Sequence, residues 1–451
     1  MNVLYLHSHD TGRYIQPYGY PVATPHLQAL AESGVLFRDA HCAAPTCSPS
    51  RAALLTGEYA HSAGMVALAH RGGKIWHPER HLASFLASHR YETVCAGFSH
   101  VGKKEAMGYT KISGCDWKQG EDIADYCVDY LKHATADQPF FLDAGFVETH
   151  RTEWVCHGFN QDRHDPKDGD GNADYLMPPA TLPDTPETRR DWLDYCHSAT
   201  RLDEYYGRIL AALDASGLAE NTLVIATTDH GIPFPHHKCK LTAHGTGVLM
   251  VLRAPGLPAG QVSDALVSQI DFYPTLCDLL QLPHPDWLQG RSLLPLVRGE
   301  VAQLHEAIFS EVTFHGSFEP KRSVRTKRWN YIRNFAGPYQ EVMPNCDDGH
   351  SKRLLLSQGM SHRTVPKEEL YDLTFDPQER SNLALDPSYA ATKRELRERL
   401  KIWMQETADP LLSQDPTVMP LPQYVSADLV QPGGERREWD PEEWVNAQHE
   451  L

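Results

Sequence analysis

With 451 residues the chain can bury a large core and still carry a second, smaller unit. Its formal net charge of −17 excludes a general nucleic-acid binder and a protein drawn to anionic membranes. An acidic protein that handles an anion must gather its positive charge locally, so clusters of Arg, Lys and His say more than the total.

Asn2-Val3-Leu4-Tyr5-Leu6 reads as a buried strand. No basic segment or cleavage site precedes it, and no apolar run approaches membrane-spanning length. The ten cysteines are scattered and form no C-x-x-C zinc pattern. These features predict a cytoplasmic protein with reduced thiols and no membrane partner. His9-Asp10 follow the first strand, and a carboxylate at a strand's carboxyl end is a natural metal ligand. Thr24–Ala31, with Pro25 near its start, predicts a helix, and Val35-Leu36-Phe37 a strand.

Next comes Cys47-Ser48-Pro49-Ser50-Arg51, leading into Ala52-Ala53-Leu54-Leu55-Thr56-Gly57. This reads as a nucleophile at the mouth of a helix, where unpaired N–H groups and the positive dipole end suit an anion. Arg51, one turn in, adds a fixed cation and several donors. Taken alone, the run also fits a buried cysteine before a Pro-initiated helix.

Helices are predicted around 82–86, 123–134, 191–216 and 269–280, and strands at 92–97, 140–146, 222–228 and 248–252. The alternation predicts an α/β fold: a large mixed, mostly parallel sheet sandwiched by helices over residues 1–305. Ligands of such sheets bind at the carboxyl ends of the strands, where Asp229-His230 also falls. From residue 306 the pattern changes to a hairpin (323–326 and 329–333), a short strand (369–373) and an amphipathic helix (389–407). That predicts a smaller C-terminal α+β domain, 306–451, with a short antiparallel sheet. The acidic, Pro-rich tail from Asp409 reads as an extended arm over the surface or a neighbouring subunit, a hint of a homo-oligomer.

Cys47-x-Pro49-x-Arg51 with Leu55-Thr56-Gly57 resembles the signature of the type I, formylglycine-dependent sulfatases of the alkaline phosphatase superfamily. Longer stretches are similar to the heparan N-sulfatase (sulfamidase) branch: Thr24-Pro25-His26-Leu27, His100-Val101-Gly102, Asp229-His230-Gly231-Ile232-Pro233-Phe234-Pro235, Gly290-Arg291-Ser292-Leu293-Leu294-Pro295, Glu369-Leu370-Tyr371-Asp372 and Asp376-Pro377-Gln378-Glu379. The resemblance implies that a maturation enzyme oxidises Cys47 to formylglycine. One hydroxyl of its hydrate attacks sulfur and the other later expels sulfate. It also implies one divalent metal held by His9, Asp10, residue 47, Asp229 and His230. Arg51 and Lys238 serve the nucleophile, with Lys240 the alternative to Lys238. His150 or His100 serves the leaving group. His236, His237, Lys240 and His244, with His315 from the second domain, are the candidate substrate contacts. Lys321, Arg322 and Arg325 read as a solvated face in preference to a substrate contact.

Two departures from the pattern stand out. Most sulfatases carry Asp-Asp after the first strand and Asp-Asn after the late one, an all-oxygen calcium site. Here His9-Asp10 and Asp229-His230 take those places, and imidazole suits Mn²⁺, Zn²⁺ or Fe²⁺ better than Ca²⁺. His9 is either a ligand or a border residue. Second, the lysine usual just before the histidine is replaced in Phe98-Ser99-His100, with Lys103 and Lys104 nearby. The expected function is hydrolysis of a sulfate ester or N-sulfo group of a small, saccharide-like sulfated substrate. The alternatives are a formylglycine-dependent phosphodiesterase or phosphonate monoester hydrolase, and a non-catalytic binding protein of the same fold. Sugar specificity is expected in loops 64–80, 151–190 and 336–366.

Overall fold

The structure, a computed structural model, describes residues 1–151, 159, 172–335, 339–413 and 422–438. Eight strands form the main sheet: β1 (Asn2–Ser8), β2 (Val35–His41), β3 (Glu92–Gly97), β4 (Lys111–Ile112), β5 (Phe140–Gly145), β6 (Thr222–Thr228), β7 (Met250–Arg253) and β8 (Gln261–Ser268). Their order is β4-β3-β5-β1-β6-β7-β2-β8. All pairings are parallel except those of β7, which runs against both β6 and β2. The reversed β7 makes the sheet mixed, as expected from the sequence.

Period-two alternation builds the two faces. Val3, Tyr5, Phe141, Leu223 and Ile225 point to one side and pack with Leu82, Phe85, Phe272 and Leu276. Leu4, Leu6, Leu142, Ala144, Val224 and Ala226 point to the other, against Leu27, Leu30, Ile123, Cys127, Leu202 and Ile209. Helices Leu82–Ser88 and Phe272–Leu280 therefore cover one face, and Pro25–Glu32, Gly120–His133 and Pro186–Ala215 the other. The long helix 186–215 starts on a Thr185–Thr188 capping box with Pro at its first position.

A second, antiparallel sheet, in the order β12-β11-β10-β9, contains β9 (Ile308–Phe314), β10 (Phe318–Arg325), β11 (Trp329–Asn334) and β12 (Glu368–Asp372). Leu396, Leu400, Trp403 and Met404 of helix Ala390–Glu406 pack on one face with Val324, Tyr331 and Leu370. Val312, Ile332 and Tyr371 turn the other face toward Leu241.

One expectation is corrected here. The run Lys321-Arg322-Arg325 is no solvated face. Arg322 is fully buried and bidentate to Asp409 (2.6 and 3.0 Å), Lys321 pairs with Glu319, and Arg325 lies 3.1 Å from Glu379. The described part of the tail lies along its own chain, as one of the two expected placements has it. Asp409 anchors it under Arg322, and β13 (Gln423–Val425) pairs with β14 (Arg436–Glu438). Val425 N–H then donates to Gly316 O (2.8 Å), and Ser317 Oγ–H to Val425 O (2.5 Å). Residues 414–421 and 439–451 of the tail lie outside the described residues.

Candidate active site and metal centre

Strand register assembles the site. Ser8 lies beside Thr228 in the β1–β6 pairing, so His9-Asp10 and Asp229-His230 leave the sheet side by side. His7 pairs with Gly145, and Gly145 with Gly97, which brings Phe98–His100 and Phe146–His150 to the same edge. β2 ends there too, and the chain then enters helix Cys47–Thr56, which closes on Gly57 at φ 71°.

His9, Asp10, Cys47, Asp229 and His230 each offer a ligand atom, all within 4.8 Å of one another, and all five are buried. His9 Nδ1 is 2.6 Å from Asp10 Oδ1 and 3.3 Å from Asp229 Oδ2. His230 Nε2 is 3.2 Å from Asp10 Oδ1 and 3.7 Å from Asp229 Oδ2. These gaps suit ligands that each stand about 2.0–2.2 Å from one cation. His230 gives the sharper test. Its Nδ1–H donates to Gly231 O at 3.0 Å, which leaves the Nε2 lone pair aimed at two carboxylates with no hydrogen-bond partner among the described residues. A cation resolves that repulsion. A mixed nitrogen–oxygen set of this kind fits a divalent transition ion. Asp10 sits at φ 62° and its N–H donates to Asp229 Oδ1 (2.8 Å), so a left-handed turn locks the two carboxylates together.

Fixed cations surround this group. Arg51 donates to His7 Nδ1 (2.5 Å), Ser8 O (2.8 Å) and Asp229 Oδ2 (3.0 Å). His7 in turn donates from Nε2 to Asp143 (2.7 Å), which also accepts from Tyr109. Lys238 Nζ bridges Asp10 Oδ2 (3.1 Å) and Asp347 Oδ2 (3.0 Å). His150 Nδ1–H donates to Asp10 Oδ2 (2.6 Å), and its ring stacks on His9 at 4.2 Å. His100, at φ 64°, meets His70 at 3.1 Å and keeps a buried Nδ1 without a partner among the described residues.

The electrostatics follow from burial and neighbours. Burial pushes the Asp10 carboxyl up, but His9, Lys238, His150 and His230 together hold it well below its usual range. Burial lowers the His9 imidazole to about 3 against the opposing pull of Asp10 and Asp229. Burial drives the Cys47 thiol well above its usual value despite Lys238, with Asp10, Asp229 and Asp347 adding to the rise. For Lys238 burial works downward, yet Asp10 and Asp347 keep the ammonium charged far into the alkaline range.

The remaining sequence-derived candidates lie around this centre in distinct groups. His315 is buried, has no partner for its Nδ1 among the described residues, and feels the charges of Lys238 and Arg71. Lys240 turns to Glu341 (2.6 Å), with His236 near the same carboxylate. His237 is engaged by Tyr14 (3.1 Å), Thr181 (3.1 Å) and Pro235 O (2.8 Å), and His244 by Tyr14 (3.0 Å) and Gln378 O (3.2 Å). Phe98, which with Ser99 stands where the resemblance leads one to expect a lysine, has the Arg51 guanidinium 5.2 Å from its ring centre. Lys104 does not fold back into the pocket, because its Nζ donates to Gly97 O (2.5 Å). Sequence reasoning missed His7, Asp143, His70 and Asp347. The first two lie inside apolar strands; the last two come from loops whose reach no local pattern encodes.

A buried cysteine at a helix mouth and a five-residue group that could hold a metal ion thus lie together on the carboxyl edge of an α/β sheet. The sulfatase family model matches residues 1–282, and the model described as N-sulphoglucosamine sulphohydrolase, C-terminal, matches residues 239–346. The chain is 31% identical to human N-sulphoglucosamine sulphohydrolase over 448 residues, covering 86% of each. It is 28% identical to an ulvan-active sulfatase of Formosa agariphila, covering 90% of this chain and 75% of that protein. Among solved structures, a yidJ sulfatase from Bacteroides fragilis superposes with a TM-score of 0.74 at 21% identity, covering 91% and 96% of the two chains. The chain belongs to the sulfatase family. It is a sulfuric ester hydrolase, similar to the sulfamidases of that family.

Proposed function

We propose that the protein removes the sulfuryl group of a small sulfated sugar, as an ester or an N-sulfo group, through formylglycine at position 47. The carrying observation is Cys47 itself: it is buried at a helix N-terminus beside Arg51, Lys238 and the Asp10–Asp229–His230 group, with its thiol held protonated by burial. A protonated thiol is a poor nucleophile, which favours a chemically converted residue. Conversion needs a maturation enzyme as partner. The support for the sugar is the human relative and the C-terminal model of the same description. We assign Mn²⁺ or Zn²⁺ in preference to the calcium usual in the family, on the imidazole of His230 with its orphaned Nε2. The nine described cysteines are all free thiols, in keeping with a cytoplasmic setting.

His9, Asp10, Asp229, His230 and residue 47 would hold a divalent cation, which would supply positive charge for an anionic group, and a formylglycine at position 47 would supply, as its hydrate, a nucleophilic hydroxyl and a second hydroxyl for product release. The rest falls to the chain. Arg51, clamped by three acceptors, presents a fixed guanidinium at the helix mouth. Lys238 stays an ammonium and orients the group at position 47. His150, with Nδ1 tied to Asp10, is left with Nε2 to protonate the leaving oxygen or nitrogen; His100 is the alternative donor. Buried His9 and half-buried Phe98 and His100 form a ring wall that narrows the access of water.

The test is the mass of the proteolytic peptide containing residue 47, from protein co-expressed with a formylglycine-generating enzyme. An aldehyde or its hydrate is expected, and Cys47→Ala should then lose all measurable turnover of N-sulfoglucosamine while keeping its circular dichroism spectrum. An unconverted cysteine in an active protein would overturn the reading, as would faster turnover of a phosphate diester than of every sulfated sugar tried.

A further inference from the structure

The pocket that presents Arg51 and Lys238 to an anion also receives a carboxylate from the C-terminal part of the chain. Asp347 lies between the turn Met343–Asn345 and helix His350–Ser357, and the segment is pinned on both sides. Asn345 bonds Ser317 N (2.7 Å) and Glu319 (2.8 Å); Ser351 N donates to Asp191 (2.9 Å); Lys352 holds Cys346 O (2.7 Å) and Asp348 (2.8 Å). So Asp347 is placed by the fold. Its Oδ2 stands 3.0 Å from Lys238 Nζ, and Asp10 Oδ2 is 3.1 Å from the same nitrogen. The charge of Asp347 also reaches Cys47.

A negative charge here weakens a site meant for anions, unless the anion's charge has to be limited. A sulfuryl group in an ester or sulfamate carries one negative charge. Inorganic sulfate, the product, carries two, and so does a phosphate monoester above pH about 6. Lys238 alone would favour the dianion by the whole of a second Coulomb attraction. Paired with Asp347, it presents a dipole in which the second charge gains almost nothing. We propose that Asp347 is a charge filter that admits the monoanionic sulfuryl group, speeds release of sulfate and rejects phosphate monoesters. This rests on reading the pocket as the seat of the sulfuryl group.

The experiment is calorimetric titration of the metal-replete protein with two tetrahedral anions, sulfate and perchlorate, at neutral pH. In Asp347→Asn, sulfate should bind about tenfold tighter or more, and perchlorate less than threefold. Asp347→Glu, which keeps the charge, should stay near the wild-type ratio. An unchanged sulfate-to-perchlorate ratio in Asp347→Asn overturns the filter, as does a parallel loss of both anions, which marks a residue that only positions Lys238. Turnover of a sulfate ester by the wild type is measured separately. If the anion ratio shifts without such turnover, the filter stands and the hydrolase reading fails.

Discussion

At the scale of the residue, His230 shows how one atom states a requirement. Its Nδ1–H is spent on Gly231 O, so its Nε2 lone pair faces Asp10 and Asp229 in a dry site. An orphaned buried acceptor beside two carboxylates costs at least about 1–3 kcal/mol unless a cation joins them. The purified protein is therefore expected to hold about one equivalent of Mn²⁺ or Zn²⁺ by elemental analysis. His230→Asn should weaken that ion at least tenfold in chelator competition and shift the preference toward Ca²⁺. Stoichiometric calcium in the wild type would sink the assignment. The two strand-end pairs were legible in the sequence because a polar pair directly after an apolar run is a local signal. The tie from Lys238 to Asp347 was not, since nothing around Asp347 distinguishes it from any loop aspartate.

At the scale of the element, buried strands read well and half-exposed ones did not. β1, β3, β5 and β6 are near-continuous apolar runs, buried from end to end or nearly so, and each falls where the sequence places it. β8, Gln261–Ser268, escaped because at the sheet edge its first half turns apolar Val262 outward and half-buries polar Gln261 and Ser263, the reverse of the usual alternation. Helix His350–Ser357 hides within a Gly- and Asp-rich loop and is held by contacts far off in sequence. The seam between the two sheets was equally invisible. His61, on the short helix Ala60–Ala63, reaches Glu311 of β9 at 2.8 Å, both fully enclosed, and Arg322 joins Glu311 to Asp409. Burial pulls the His61 imidazolium down, but Glu311 and Asp409 outweigh it, so its pKa stands above the usual 6.5. A raised pKa contributes stability that is complete below about pH 6.5 and is lost as pH rises through the folded value. His61→Gln should therefore melt well below the wild type at pH about 6, by the equivalent of about 1–3 kcal/mol. The gap should narrow steadily toward alkaline pH. A gap that widens there would contradict the pairing.

At the scale of the molecule, the charges work against each other by location. The chain carries a net −17, while Arg51 and Lys238, the cations beside Asp229 and Asp10, are each only 3% exposed. Their field is confined to the pocket, where Asp10, Asp229 and Asp347 balance much of it. An approaching sulfated sugar therefore meets an acidic surface first and the positive site last, the reverse of electrostatic steering. The Debye length is about 30 Å at 0.01 M salt and about 8 Å at 0.15 M, so added salt hides the distant surface charge yet leaves the buried contacts intact. Raising ionic strength across that range should lift kcat/KM for a monoanionic sulfated monosaccharide about two- to threefold and leave kcat nearly constant. A neutral competitor for screening, such as added sucrose, should do nothing comparable. A steady fall of kcat/KM with salt would mean that basic groups at the pocket mouth, not the acidic surface, govern the approach.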